Sequence, residues 1–410
     1  MRLILIFFLL GFAGPGFAAS VDRGQTEVIR VQASKEQAFQ SWVRQFRARA
    51  RQRGFSERML ARAFEGVSYN EEVISKDRNQ AEFSLPIWDY LARVVSDDQV
   101  NNGRRALRQQ GRVLDRIEAR YGVDKQVVAA VWGVETRYGT LRGDIPVIEA
   151  LATLAFDGRR GRFFEQQLWE ALRILANGDV AARNMTGSWA GAMGHTQFIP
   201  TSYEAYAVDF DGDGRRDIWA DDPTDALAST AAYLQRFGWR KGQPVAVEVR
   251  LSQGFDTGLA RRSLTMSPGQ WSARGVRGMD GKAVPNYGQA SVWLPAGAGG
   301  PAFLIFNNFR VLERYNAADA YVLAVGRLAW QLQGQRPIEG RWPVGARALT
   351  RAEVQEMQER LTRAGFSTEG ADGLIGPNTT QAIRSYQRAQ GLKVDGFASL
   401  DLLERLRRRR

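Results

Sequence analysis

A carboxyl group held among apolar residues can serve as a proton donor, and Glu135 in the stretch Val131-Trp132-Gly133-Val134-Glu135-Thr136-Arg137-Tyr138-Gly139 is the leading candidate in this 410-residue chain. Val128, Val131, Trp132 and Glu135 recur at i, i+3, i+4 and i+7, so a helix from about Lys125 turns the acid toward its apolar stripe. Burial against Val and Trp destabilises the ionised form, which is how an acid catalyst keeps its proton near neutral pH. The same helical wheel also admits a glutamate that merely solvates the helix edge. Taken alone it favours that second reading, because fully buried Glu is rare. Gly139 supplies a helix stop, since glycine accepts the left-handed C-terminal cap.

A second constellation is an acidic loop. Asp209, Asp211, Asp213, Gly214, Arg215 and Asp217 occupy positions 1, 3, 5, 6, 7 and 9 of a calcium-binding loop, with Arg215 offering only its carbonyl. Alternating hard oxygen ligands wrap a single cation and the glycine permits the sharp turn. Position 12 is Ala220 instead of a bidentate Glu, so the closing ligand must come from elsewhere, with Asp225 as the candidate. Without a cation the same residues would form an acidic turn with capping aspartates. The ion's role would be structural, and no cofactor is expected for catalysis.

A third stretch, Gly187 to Pro200, is too rich in glycine for an ordinary surface helix. It either lets backbones pack closely or lines a groove, with Ser188 and Gln197 as polar groups beside nearly bare main chain. A polysaccharide needs such a groove, because sugar rings approach closely and exchange many hydrogen bonds. His195, the single histidine, is expected to be a neutral neighbour of the site instead of a proton carrier.

The elements that must position these groups are mainly helical. Apolar residues recur at helical spacing from Ser34 to Arg62, from Val95 to Tyr121, in two segments between Pro146 and Leu175, from Pro223 to Phe237 and from Tyr315 to Leu332. Val245, Val247, Val249 and Leu251 alternate instead, so a small β region is expected over about residues 244–310, inserted in a helical body. Residues 334–348 read as a linker, 349–406 as a small three-helix module in which Asp372-Gly373 and Asp395-Gly396 echo one another, and 407–410 as a basic tail. The class is therefore mainly α (α+β). Residues 1–18, with Arg2, an apolar run and Gly16-Phe17-Ala18, have the form of a secretory signal, which predicts export and a mature catalytic body over 19–333.

Composition narrows the function. A formal charge of +12 predicts an anionic partner: nucleic acid, a membrane surface or an acidic wall polymer. With no cysteine and one histidine, zinc fingers, thiol catalysis and histidine-rich metal sites are excluded. No nucleic-acid-binding motif accompanies the charge, so nucleic acid is not expected as a partner.

Glu135 in its Gly133–Gly139 setting, the Gly187–Pro200 segment, the Asp209–Asp217 loop and Arg314-Tyr315-Asn316 together resemble the lytic murein transglycosylase B family, over about residues 34–333. The resemblance implies a lysozyme-like helical catalytic domain with a small inserted sheet, acting on peptidoglycan glycan strands. It implies Glu135 as catalytic acid and base, and a substrate cleft lined by Tyr90, Arg159, Arg160, Ser188, Gln197, Tyr315, Asn316 and Tyr321. It also matches Asp209, Asp211, Asp213, Arg215 and Asp225 to a structural Ca2+ site. Val354–Leu361, Asp372–Thr379 and Ala382–Gln387 resemble the peptidoglycan-binding domain type 1. The implied reaction cleaves the β-1,4 bond between N-acetylmuramic acid and N-acetylglucosamine and closes a 1,6-anhydro ring, for wall remodelling and recycling. A hydrolytic muramidase on the same fold and a non-catalytic wall-binding scaffold are the alternatives. Lacking the lipidated cysteine of the membrane-bound members, the chain is expected to be soluble in the periplasm with no membrane anchor, with other cell-wall enzymes as conceivable partners.

Overall fold

In the computed structural model, residues 24–79, 85–343 and 347–408 are described. The signal-like residues 1–18 and the last two arginines lie outside them. Among the described residues, no helix is long and apolar enough to cross a membrane. The described residues divide into two compact units, one of residues 85–130 with 234–343 and 347–408, the other of residues 24–79 with 131–233.

The second unit is helical. At its centre lies Val147–Asp157, buried at Val147, Ile148, Ala150, Leu151, Ala152, Leu154 and Ala155, so it is apolar all round and must be covered by neighbours. The amphipathic Gly161–Asn177 helix packs along it. Phe46 and Trp169 meet with ring centroids 4.2 Å apart and tie the first described helix, Gly24–Gln52, to Gly161–Asn177. Pro146 caps the central helix from outside, and Ile145–Pro146 pairs antiparallel with Thr186–Gly187.

Two expected helices are each divided in two by a polar or glycine residue. Ser34–Arg62 breaks at Gly54, and Ser56 starts Glu57–Ala63 by accepting the Met59 N–H on its hydroxyl at 3.3 Å. The 95–121 segment divides at Gln110 into Asp97–Gln109 and Gly111–Tyr121. The helix expected from Tyr315 to Leu332 begins only at Asp319: Tyr315 instead ends a separate helix, Asn307–Tyr315, and between the two Asn316 Oδ1 accepts the Ala318 N–H at 3.1 Å in an Asx turn.

The inserted β region forms as expected within the first unit. Four antiparallel strands lie in the order Val276–Gly278, Ala246–Leu251, Ala302–Ile305, Ser291–Trp293, with Val249 opposite both Gly278 and Ala302. Their covered face closes over Trp271, Val292, Leu304 and Phe306. Trp271 satisfies its buried indole N–H on Ala290 O at 2.8 Å.

The C-terminal module is a three-helix unit of Arg351–Arg363, Pro377–Ala389 and Leu400–Arg408 around Met357, Leu361, Ile383, Tyr386 and Leu403. The two Asp-Gly echoes are equivalent loops, each locked by a buried glutamine of a preceding helix. Gln358 donates to Asp372 Oδ1 at 3.0 Å and accepts the Gly373 N–H at 2.9 Å. Gln387 does the same for Asp395 Oδ1 at 2.7 Å and Gly396 N–H at 2.9 Å. Arg407 and Arg408 are not a free tail: they end the last helix, and Arg407 pairs with Glu356 at 2.6 Å.

Residues 334–343 are likewise no loose spacer. The Glu339 and Gly340 N–H groups both donate to the Glu248 carboxylate, at 2.8 and 2.7 Å, and Trp342 lies between Trp88 and Phe303 with centroids 6.1 and 6.4 Å away. The module itself is docked on the β region. Arg384 donates to the Gly258, Ala260 and Asp395 carbonyls, and Asp395 Oδ2 accepts the Ala298 N–H at 3.1 Å.

Candidate active site

Lys125–Thr136 is a helix, as the spacing of its apolar residues requires, and Glu135 sits half-buried on its last turn beside the buried Trp132 and Thr136. The helix does not end on the simple glycine cap expected at Gly139. Arg137, Tyr138 and Gly139 take φ of 49°, 60° and 85°, three successive left-handed residues. The first two are not glycine, and each such residue costs roughly 1–2 kcal/mol. The surroundings hold that turn in place. Thr136 Oγ1 donates to His195 O at 2.6 Å and accepts the Gly139 N–H at 3.0 Å. The Tyr138 ring folds back edge-on to Trp132, centroids 5.6 Å apart, over the bare backbone of Gly133, where a Cβ would come within 2.6 Å of that ring. Burial pushes the Tyr138 hydroxyl well above its ordinary pKa, so it stays protonated.

His195 is buried against the same turn. Its Nδ1 accepts the Trp132 Nε1–H at 3.1 Å, and its Nε2 lies 2.7 Å from Ala220 O, which can only accept. The network therefore assigns the neutral tautomer with the proton on Nε2. Burial holds its pKa below the usual 6.5, and the Arg142 guanidinium 3.3 Å from Nε2 adds to that effect. His195 is thus the neutral neighbour that its sequence context suggests: an orienting wall with both ring nitrogens already engaged.

The glycine-rich stretch resolves as close backbone packing. Ser188 to Phe198 are all buried; Met193 and Phe198 exchange N–H···O bonds at 2.9 and 3.0 Å. At Gly194 a Cβ would fall 2.3 Å from Ile218 O, so no other residue fits there. Ser188 Oγ accepts the Ala190 and Ala192 N–H groups at 3.3 and 3.1 Å. Gln197, at φ 55°, donates to Arg142 O and Gly194 O at 3.0 Å each, and its Oε1 is buried without a hydrogen-bond partner.

Arg159 and Arg160 converge on one internal anion. Asp77, 1% exposed, accepts from Arg159 Nε at 2.7 Å and from Arg160 Nη2 at 2.7 Å. Their exposed faces remain open to solvent, but much of the charge expected to meet substrate is already compensated. In the other unit, Tyr90 is buried on the Ile87–Val94 helix. Tyr315 and Tyr321 stack 6.4 Å apart at 5° across the Asn316 turn.

Asp209, Asp211 and Asp213 present carboxylate oxygens within 4.8 Å of one another, all exposed. Three like charges so close require a counter-cation or hydrogen bonds. Loop N–H groups supply some: Gly212 and Gly214 donate to Asp209, Asp213 to Asp211 and Arg215 to Asp213, at 2.7 to 3.1 Å. The donor set is all hard oxygen and fits a calcium ion. Asp225, expected as the closing ligand, stands outside the triad. Its Oδ1 accepts the Phe210 N–H at 2.8 Å and its Oδ2 the Asp217 N–H at 3.0 Å, so it braces the loop from beneath. Burial raises its pKa to about 6.

Residues that sequence reasoning missed are Thr136, Trp132 Nε1, Asp77 and Arg142, which donates to Trp219 O and Ala220 O at 2.8 and 2.9 Å and pairs with Asp221. All act across 59 or more residues of sequence, where periodicity carries no signal.

Comparison with known proteins follows this geometry. A family model described as a transglycosylase SLT domain matches residues 38–330, and a peptidoglycan binding domain model matches residues 350–406. Membrane-bound lytic murein transglycosylase B of Escherichia coli (strain K12) is 37% identical over 246 residues, which are 59% of this chain and 65% of that protein. The chain thus spans just under two thirds of that relative's length. The crystal structure of SltB3 from Pseudomonas aeruginosa in complex with NAG-anhNAM-pentapeptide superposes with TM-score 0.87 at 47% identity, covering 90% of this chain and 99% of that one. Escherichia coli Slt35 in complex with calcium gives TM-score 0.61 at 31% identity over 72% of this chain and 92% of that one. With the Glu135 helix, the buried glycine-rich stretch and the aspartate loop all inside the matched span, the chain belongs to the transglycosylase SLT domain family.

Proposed function

We propose that the protein cleaves the β-1,4 bond between N-acetylmuramic acid and N-acetylglucosamine in peptidoglycan without consuming water, with Glu135 as its acid and base. The observation that carries this reading is the Glu135 turn: a half-buried carboxyl on a helix end clamped by Thr136, beside a histidine held neutral by Trp132 and Ala220. A histidine with its pKa lowered and both nitrogens engaged is a poor proton donor at neutral pH, which leaves the proton transfer to Glu135. Glu135 protonates the glycosidic oxygen while the substrate's N-acetyl group stabilises the positive carbon. The resulting carboxylate then takes the proton of the muramic acid C6 hydroxyl, whose oxygen attacks C1 and closes the 1,6-anhydro ring. A two-carboxylate glycosidase would instead activate water or form a glycosyl intermediate.

Ser188 and Gln197 belong to the wall of this site, where Gln197 Oε1 is buried without a hydrogen-bond partner among the described residues. Tyr90, Tyr315, Asn316 and Tyr321 serve sugar binding, and Arg159 and Arg160 lend partial positive charge while anchored on Asp77. Calcium at Asp209, Asp211, Asp213 and the Arg215 carbonyl would hold the loop together and supply no chemistry to the reaction, with Asp225 contributing through the loop backbone. The leader-like residues 1–18 support export to the periplasm, and the C-terminal module supports retention on the wall. Digestion of purified sacculi tests the reading. Fragments lighter by one water than hydrolysis products are expected, and Glu135→Gln should abolish them. Fully reducing ends would indicate a hydrolase, and undiminished lysis by the variant would remove Glu135 from the chemistry.

A further inference from the structure

Away from Glu135, the unit of residues 24–79 and 131–233 carries a groove of about 940 Å3. One wall is the Glu57–Ala63 helix, the other the 178–184 segment and the edge of the aspartate loop. Arg58 and Arg62, one turn apart on the helix, line it together with Arg183 and Arg215. All four are exposed and none has an ion-pair or hydrogen-bond partner for its guanidinium among the described residues, whereas neighbouring arginines do: Arg47 and Arg51 share Glu57, Arg173 takes Glu170, and Arg216 takes Asp179 and Glu204.

Two carboxylates also line the groove, and of these Asp179 is compensated by an ion pair. Asp179 is buried and ion-paired to Arg216 at 2.7 Å, while Asp217 accepts the Trp219 and Ala220 N–H groups at 2.8 and 2.9 Å. With four guanidiniums against the remaining charge of Asp217, the lining is net positive. Phe55, Met59 and Val180 give it apolar surface between the charges. Cationic walls flanking apolar surface suit an extended chain with carboxylates along its length and small apolar side chains between them. A membrane's anionic headgroups form a flat array that a concave groove cannot meet.

We propose that this groove is a second, non-catalytic site that binds the carboxylate-bearing stem peptide of a peptidoglycan strand. The assignment rests on the reading of the protein as a peptidoglycan enzyme. Engagement there would hold the enzyme on cross-bridged wall while Glu135 works on a glycan, and the contact would weaken with salt because the arginines are exposed.

The full chain carrying Glu135→Gln, with and without Arg62→Gln plus Arg183→Gln, tests this with a sugar-free stem pentapeptide as probe. Hydrogen exchange read segment by segment separates this groove from other peptide contacts. Protection of residues 54–62 and 178–184 on adding peptide is expected, with binding at these segments roughly two- to thirty-fold weaker in the double variant, the worth of two exposed arginine–carboxylate contacts. Equal protection in both proteins, or none at these segments, overturns the proposal. So does an arginine-dependent response there to anionic vesicles but not to peptide, which would identify a lipid site. Failure of the enzymatic reading would show separately, as unchanged sacculi with Glu135 intact. Because neither substituted guanidinium has an ion-pair or hydrogen-bond partner among the described residues, melting temperatures should match.

Discussion

The Gly139→Ala substitution isolates what holds the catalytic turn. Gly139 lies at φ 85°, and a Cβ there would stand 2.6 Å from both Cε1 and Nδ1 of His195. Two costs follow. Placing alanine in the left-handed region costs roughly 1–2 kcal/mol. The His195 ring cannot retreat cheaply, because Trp132 Nε1 and Ala220 O hold it at 3.1 and 2.7 Å. Either the contact remains as overpacking, worth about 1–3 kcal/mol, or a buried donor is left unpaired at a similar cost. The expected loss is about 2–5 kcal/mol in all.

Gly66→Ala is the control: φ is 69° and nothing lies within 4 Å of its Cβ position, so it carries only the backbone cost. Denaturant unfolding of both variants should separate them by about 1–3 kcal/mol, and Gly139→Ala should also lower lysis of sacculi at least about tenfold, because the turn that bears Glu135 must shift. Adding His195→Ala to Gly139→Ala should recover part of the loss, so the double variant is more stable than the sum of the single effects. A Gly139→Ala protein no less stable than Gly66→Ala, or effects that add without coupling, would refute the account of the turn as clamped by His195.

Three other outcomes are expected. Burial keeps His195 from protonating, so between its lowered pKa and 6.5 the unfolded chain binds a proton that the folded chain refuses; stability should fall as pH drops below about 6.5. His195→Gln, which removes the only histidine, should flatten that slope between pH 5 and 6.5, and an unchanged slope would place its origin elsewhere. Millimolar calcium should raise the melting temperature, chelator should reverse the shift, and Asp211→Ala should abolish it; saturation at a hundredfold over Kd would be worth about 2.7 kcal/mol. Identical melting with calcium and with chelator would mean that the aspartate triad holds no stabilising ion. Arg384→Ala leaves the Gly258, Ala260 and Asp395 carbonyls without their donor, a cost of about 1–3 kcal/mol, and should free the C-terminal module from the β region. Protease cleavage within residues 334–348 should then accelerate, and an unaltered digestion pattern would show that the docking does not depend on Arg384.

What the sequence makes legible is what repeats within a few residues. The Glu135 helix follows from apolar spacing, the aspartate loop from alternation of oxygen ligands, and the paired loops of the C-terminal module from the Asp-Gly echo. In the first two cases the partners lie within one or two turns of chain, and in the third an identical dipeptide recurs. The helix breaks at Ser56 and Asn316 depend on one short polar side chain each, too faint to read against the periodic residues on either side. The left-handed turn at Arg137 and Tyr138 has no local signature, because neither residue type favours positive φ. It exists because Thr136 finds the carbonyl of a residue 59 positions later. The arginine pair is a sharper case, since the family resemblance marks Arg159 and Arg160 as cleft residues for an external anion while folding first supplies an internal one from 82 and 83 positions away. Charge without its partner is ambiguous in sequence, and the same physics sets Arg58, Arg62, Arg183 and Arg215 apart. Only the fold shows that these four guanidiniums line one groove with no ion-pair partner among the described residues.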